Sequence, residues 1–286
     1  MEPTASPRTS SSENTVLVLG ATGKTGRRIV SGLRARGVDV REGSRRATPA
    51  FDWHAEDGWD ACLTGVRAVY VSFAPDLALP GATDRIQALV DAAGRHGVER
   101  LVLLSGRGEE EAQACERIVQ QGGMAWTVVR ASWFHQNFSE GEFLPMVQGG
   151  QITLPAGDVP EPFVDVDDIA DVAIAALTER GHDGEIYEVT GPRLMTFTDV
   201  AADLSAATGR EIAFVRVPHE AFMDAVRGAG APEDTVWMLD YLFCTVLDGR
   251  NAQLSDGVQR ALGRPPRDFA DFARRAAATG CWSSAA

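Results

Sequence analysis

Thr15-Val-Leu-Val-Leu19 runs directly into Gly20-Ala-Thr-Gly23-Lys-Thr-Gly26, after which Ile29, Val30 and Leu33 recur at helical spacing before Gly37. A continuous apolar run of strand length is the signature of a strand buried on both faces of a parallel sheet. Gly37 follows where a left-handed C-cap would stop the helix. Strand, glycine turn and helix together form a nucleotide-binding unit. The first glycine permits the tight turn, the second lets backbone approach a pyrophosphate, and the third lets the helix pack against the strand. The helix N-terminus then turns unpaired N–H groups and a partial positive charge toward the phosphates. A P-loop is excluded, because that motif needs four residues between its glycines and only two separate Gly20 from Gly23. Gly20, Thr22, Gly23, Lys24, Thr25 and Gly26 are the expected cofactor contacts.

The same alternation continues along the chain. Strands are expected over residues 38–42, 66–73, 99–104 and 126–130. Between them lie a helix carrying Ile86, Leu89, Val90 and Ala93 and stopped at Gly97, and another over residues 110–121 that ends at Gly122-Gly123. The fold class is therefore α/β, a Rossmann-type parallel sheet covered by helices on both faces. Past an irregular stretch, Ile169, Val172, Ala173, Ala176 and Leu177 form one apolar stripe of a helix for which Asp167 or Asp168 is the expected cap. From Gly191 helices dominate. Thr196-Phe-Thr-Asp199 opens one that runs to Gly209, a strand spans 212–217, and helices lie around Glu220 and over 233–247 and 267–278. Three segments result: a disordered tail over 1–14, a dinucleotide-binding domain over 15–190 whose residues 131–162 contribute to the substrate cleft, and a smaller, mostly helical substrate portion over 191–286.

Composition subtracts other functions. The 286 residues carry a net charge of -13 with no concentrated basic stretch, which argues against nucleic acid or a membrane surface as partner. No run reaches the length of a membrane span, and the Ser-, Thr- and Pro-rich start lacks the apolar region of a signal peptide, so a cytoplasmic protein acting on a small-molecule substrate is expected. Whether it forms a homo-oligomer is open. Cys62, Cys115, Cys244 and Cys281 lie far apart without metal-ligand spacing, and a helix cap accounts for Asp165, Asp167 and Asp168, so no metal is expected.

Of the 27 basic residues all but Lys24 are arginines. A Tyr with a Lys four residues later, the usual proton relay of short-chain dehydrogenases, cannot be formed from Tyr70, Tyr187 and Tyr241, since Lys24 precedes them all. At the end of the second strand, Gly43-Ser44-Arg45-Arg46 offers a hydroxyl and two guanidinium groups where an NAD-specific protein keeps an acidic side chain, so NADP(H) is preferred over NAD(H). Glu42 is the competing residue for a ribose hydroxyl, and strand alternation places it outward.

The glycine turn, Thr127-Val-Val-Arg130 followed by Trp133-Phe-His-Gln-Asn137-Phe138, and Phe163-Val-Asp-Val-Asp-Asp-Ile-Ala170 together resemble the NmrA-like branch of the atypical short-chain dehydrogenases. Within that branch, Phe51-Asp-Trp53, Gly191-Pro192 with Leu194 and Thr196-Phe-Thr, and Gly263-Arg-Pro-Pro-Arg267-Asp-Phe269 are similar to the ergot-alkaloid reductases, the festuclavine and agroclavine dehydrogenase group. The long tail and the dominance of Arg over Lys depart from the fungal pattern, so no substrate carries over. The resemblance implies that Phe73 and Ala74 after a fourth strand and Ser105 and Gly106 after a fifth border the cofactor. It puts Asp52 and Trp53, after a third strand, near the adenine, and Ala131 to Phe134 against the nicotinamide.

Trp133, Phe134, Asn137 and Phe138 are the candidate substrate pocket. His135 is the histidine of that loop and the candidate proton donor, with Glu116 a further candidate if its helix turns toward the crevice. A substrate whose C=N bond is an iminium becomes a neutral amine on receiving hydride and needs no donor, so the expected activity is NAD(P)H-dependent reduction of a small apolar C=N or conjugated C=C compound. The alternative is a redox-sensing regulator that binds the dinucleotide without turnover and acts through a protein partner, with its pocket filled by its own side chains. Trp237, Met238, Tyr241 and Phe243 favour the enzyme by supplying material for a cleft.

Overall fold

A computed structural model describes residues 15–283, so the expectation for residues 1–14 lies outside the described residues. Six parallel strands form the sheet: β1 (Thr15–Leu19), β2 (Val40–Gly43), β3 (Val66–Val71), β4 (Arg100–Gly106), β5 (Ala125–Ala131) and, after a short β6 (Gln151–Leu154), β7 (Glu185–Val189). Their order across the sheet is β2-β1-β3-β4-β5-β7. The connections from β1 and β3 leave in opposite directions, which opens a crevice at the carboxyl ends of the strands.

Period-two alternation in β1 feeds two cores. Val16 and Val18 pack with Ile29, Val30 and Leu33 of α1 (Lys24–Ala35) and with Ile169, Val172 and Ala173 of α7 (Val166–Thr178). Leu17 and Leu19 face α2 (Trp59–Leu63), α3 (Ala82–Arg95) and α4 (Glu110–Gln121). Each such fully buried aliphatic side chain contributes about 1.5–3 kcal/mol by leaving water. Gly32 lets α1 approach α7, since a β-carbon there would lie 2.5 Å from Ile174 Cδ1.

Two sequence expectations need correction. No further strand precedes Asp52 and Trp53 between β2 and β3; a single antiparallel bridge joins Asp52 to Ala55. The apolar content of this stretch serves an aromatic cluster instead, with the Phe51 ring 5.0 Å from Trp53 and 5.2 Å from Trp59. The cap of α7 is neither Asp167 nor Asp168 but Asp165, whose carboxylate accepts from the Asp167 amide at 2.9 Å. Asp168 is fully buried and paired with Arg264 and Arg267.

The third core joins the irregular middle of the chain to its C-terminal part. α5 (Asn137–Glu140), α6 (Leu144–Gln148) and β6 pack with α8 (Phe197–Thr208), and β6 pairs in parallel with β8 (Ala213–Arg216). α9 (His219–Gly228), α10 (Glu233–Tyr241), a π-helical turn (Leu242–Val246) and α12 (Phe269–Ala278) complete it, whereas α11 (Gly257–Leu262) packs Val258 into the first core. The capping box at Thr196 and Asp199 is present in both directions, and Gly209 ends α8 at φ +69°. No helix among the described residues is long and apolar enough to cross a membrane.

Candidate functional site

The glycine turn is built as its sequence requires. Gly20 sits at φ +69°, and a β-carbon on Gly26 would lie 2.1 Å from the Gly20 carbonyl oxygen. Gly23 is the N-cap of α1 and offers no side chain to its first turn, which also holds no acidic residue. The amides of that turn therefore have no intrahelical acceptor and carry the positive end of the helix dipole. Thr22 and Gly23 are exposed above them. The Gly43 carbonyl accepts from the Gly20 amide at 3.0 Å, holding Ser44 and the exposed Arg45 and Arg46 beside the turn. Among the described residues neither arginine pairs with a carboxylate, whereas Glu42 is engaged by Arg34 at 2.7 Å. A glycine cradle with free amides and adjoining unpaired guanidinium groups fits a phosphorylated dinucleotide.

Next to the turn a cavity of about 570 Å³ opens at the carboxyl edge of the sheet. It brings together Gly23, Lys24, Thr25, Phe73, Ala74, Ser105, Gly106, Trp133, Phe134 and Asn137, residues expected at the site from the sequence alone. The C-terminal part closes over it with Met238, Leu239 and Leu242. Trp237 instead stacks on Tyr241 at 5.1 Å, and Phe243 supports Trp133 from behind at 5.5 Å.

Several expected site residues lie elsewhere. His135 is fully buried and turned away from the cavity: its Nε2 is 2.9 Å from the Phe163 carbonyl, and the Phe269 and Phe272 rings lie 4.9 and 5.3 Å away. It fixes the loop after β5 to the start of α7 rather than meeting a substrate. Phe138 is likewise fully buried, packed on Phe143 and Phe269 at 5.3 and 5.7 Å, because the short helix α5 turns it inward while Asn137 stays on the wall. Trp53 is buried and supports Phe73 at 4.8 Å, and Asp52 caps its own turn by accepting from the His54 amide.

Lys24 lines the cavity, its Nζ 2.8 Å from where a β-carbon on Gly141 would be. Burial lowers its ammonium pKa, with Glu142 opposing that shift and Arg27 adding to it. Ser105 donates to Glu116 Oε1 at 2.6 Å, and Arg130 holds the same carboxylate at 3.0 and 2.5 Å. Arg130 reaches on to Glu188 at 2.8 Å, which Arg107 engages at 3.0 Å. Glu116 is thus locked in a buried ionic chain beneath the cavity wall. Tyr70 is fully buried in β3, Tyr187 bonds His182 at 2.9 Å, and Tyr241 donates to Glu111 at 2.5 Å.

Two groups at the cavity were not expected from the sequence. Glu109 is 6% exposed and its Oε2 has no partner, while its carboxyl rests on Gly106, where a β-carbon would lie 2.2 Å from it. Burial, reinforced by Asp76, Glu111 and Glu116, pushes its pKa well above the usual carboxylate range. Asp76 lies within hydrogen-bond reach of it and is also raised by burial, against the Ala78 amide that donates to it at 2.8 Å. Gly106-Arg-Gly-Glu-Glu-Glu111 reads as a solvated helix start, and nothing in it marks Glu109 as the inward member. Away from the cavity, His219, Asp240 and Cys244 bring three potential ligand atoms within 4.8 Å of one another, with Asp240 and Cys244 exposed.

Glu161 yields a pH prediction. Its carboxyl is fully buried without partners, and burial pushes its pKa up to about 7, against the pull of Arg107. The folded state then binds the proton more tightly than the unfolded state, so this stability is complete below the unfolded pKa of 4.5 and is lost as pH rises toward 7, a change of about 3 kcal/mol. Thermal melts are expected to show Glu161→Gln gaining on wild type as pH rises from about 5 to about 8. A pH-independent difference would contradict it.

The NAD(P)H-binding family profile matches residues 20–180. The NAD(P)H azoreductase of Xenophilus azovorans is 32% identical over 92% of this chain and 98% of its own length. The agroclavine dehydrogenase of Claviceps fusiformis is 31% identical over 90% and 96%. Among solved structures, the triphenylmethane reductase of Citrobacter sp. complexed with NADP(H) superposes with a TM-score of 0.73 at 20% identity, covering 92% of this chain and 99% of that one.

Proposed function

Because the chain belongs to the NAD(P)H-binding family, we propose that it is an NADPH-dependent reductase of a small, largely apolar substrate carrying a C=N, N=N or conjugated C=C bond, working without a Tyr/Lys pair. The observation that carries this reading is the open cavity of about 570 Å³ between the glycine turn and the C-terminal helices. The cofactor residues Gly23, Lys24, Thr25 and Ser105 line part of it, and its further apolar walls from Trp133, Phe134, Met238 and Leu242 suit a compact conjugated molecule. A regulator that only senses the dinucleotide would fill this space with its own side chains. The named activities of the azoreductase and clavine dehydrogenase relatives support the same reading.

When bound, the dinucleotide supplies a hydride. The protein's part is to orient and to exclude water. The α1 amides and Lys24 hold phosphate, Ser105 and Gly106 border the reactive ring, and Trp133 and Phe134 press the substrate against it. NADPH is preferred through Arg45 and Arg46. Replacing both with Ala is expected to lower NADPH affinity about 10²–10⁴-fold, since each charge-assisted phosphate contact is worth about 1.5–3 kcal/mol, and to leave NADH affinity nearly unchanged. Equal losses for both cofactors, measured by titration calorimetry, would contradict the preference.

The activity is tested by NADPH oxidation with a panel of azo, quinone, enone and cyclic iminium acceptors. Turnover of at least one, faster with NADPH than with NADH, is expected. Tight NADPH binding with no turnover of any acceptor would overturn the reductase reading.

A further inference from the structure

We propose that Asp76 and Glu109 form a carboxyl pair that holds a single proton and delivers it to substrate, which makes neutral conjugated acceptors the class this cavity is built to reduce. The inference rests on the reductase reading and adds the group that reading lacks. The two carboxyls come from separate loops, after β3 and after β4, yet meet in the wall of the same apolar cavity. Glu109 is buried with Oε2 unpartnered, and its carboxyl lies against Gly106, beside the expected place of the reactive ring.

The charged groups around the pair explain why it keeps a proton. From α4 and its start, Glu111 and Glu116 face Glu109, and the Cys115 thiol is itself raised by burial, Glu116 and Asp76. Tyr241 of α10 donates to Glu111 and carries no positive charge. Arg107 is committed to Glu188, and Arg250 to Asp248. Among the described residues no cation forms an ion pair with Asp76 or Glu109. Two carboxyls sharing one apolar site cannot both ionise readily, so the pair titrates as a unit and retains its second proton to higher pH.

Hydride transfer to an azo, quinone or enone acceptor adds two electrons and one hydrogen, and the electron pair comes to rest on nitrogen or oxygen. The O–H bond of the pair breaks as a new N–H or O–H bond forms there. Both carboxyls are then ionised, and the partly exposed Asp76 takes the next proton from solvent. An iminium acceptor ends as a neutral amine and draws no proton, so the two acceptor classes separate the roles.

The test compares wild type, Glu109→Gln and Asp76→Asn with a quinone and with a cyclic iminium, alongside a carbon-13 NMR titration of the carboxyls in the ligand-free protein. In wild type, quinone reduction is expected to fall as pH rises through the upper titration of the pair, which NMR places above the ordinary carboxylate range. Glu109→Gln is expected to depress kcat with the quinone about 10²-fold more than with the iminium, the scale of a lost general acid. Asp76→Asn removes the like charge and shifts the quinone pH profile toward acid, a change that a merely structural role would not produce. Equal losses for both acceptors, or carboxyls that NMR finds ionised together in the ordinary range, would overturn the proposal. Wild-type protein inert toward both acceptors refutes the reductase reading and this inference with it, whereas an active wild type with an indifferent Glu109→Gln variant refutes this inference alone.

Discussion

Gly26→Ala is expected to lower NADPH affinity by about 100-fold, equivalent to about 2.8 kcal/mol, and to cost stability as well. The new methyl group would sit 2.1 Å from the Gly20 oxygen, 2.7 Å from its carbonyl carbon and 2.9 Å from Ala21 Cα. All three are backbone atoms with no rotamer to relieve the clash. The start of α1 must then move away from β1, which carries the phosphate-facing amides out of line. Overpacking of this kind costs about 1–3 kcal/mol, and each kcal/mol lowers Tm by about 2–4 °C in a chain of this size class. Gly94→Ala in α3 is the matched control, since its β-carbon meets nothing within 4 Å and Ala favours a helix by about 1 kcal/mol. Titration calorimetry and thermal melts of both variants check the pair, and near-wild-type NADPH binding by Gly26→Ala would contradict the role of the turn.

Glu116→Ala is the second large effect. Glu116 is 2% exposed and ties Ser105 of β4 to Arg130 of β5 through three hydrogen bonds. Removing one member of such a buried pair costs about 3–5 kcal/mol; Arg130 keeps Glu188 but its buried guanidinium loses the carboxylate that held two of its nitrogens. A Tm lower by roughly 10 °C is expected. The loss extends to function, since Ser105 sits in the cavity wall and its hydroxyl would no longer be fixed. Glu116→Gln, which keeps an acceptor for Ser105 but loses the charge, should fall between the variant and wild type in both melting and KM for NADPH. A Tm for Glu116→Ala within about 2 °C of wild type would show that the ionic chain contributes no net stability.

Much of the fold was legible because it rests on local rules. Thr15–Leu19 is apolar at every position after the first since both its faces are covered, and Gly20, Gly37, Gly97, Gly123 and Gly209 adopt the positive φ their turns require. β7 carries no clear strand signal because Glu185 and Glu188 interrupt its apolar run at the sheet edge, where Glu188 is drawn in by Arg107 and Arg130. The site was legible where backbone made it and obscure where side-chain direction decided. His135 and Phe138 share one short segment with Trp133, Phe134 and Asn137. Sequence alone cannot say that the first two turn into the core and the others into the cavity. Glu109 shows the same limit from the other side, a member of an acidic run that the left-handed Gly108 at φ +79° and the start of α4 carry inward.

The most direct test of the central claim is a crystal structure with NADP⁺ bound. Phosphates on the α1 amides, the 2′-phosphate beside Arg45 and Arg46, and the nicotinamide against Ser105 and Gly106 with its free face open to the cavity beside Glu109 is the predicted result. A nicotinamide face covered by Met238 or Leu242, leaving no room for an acceptor, would contradict it.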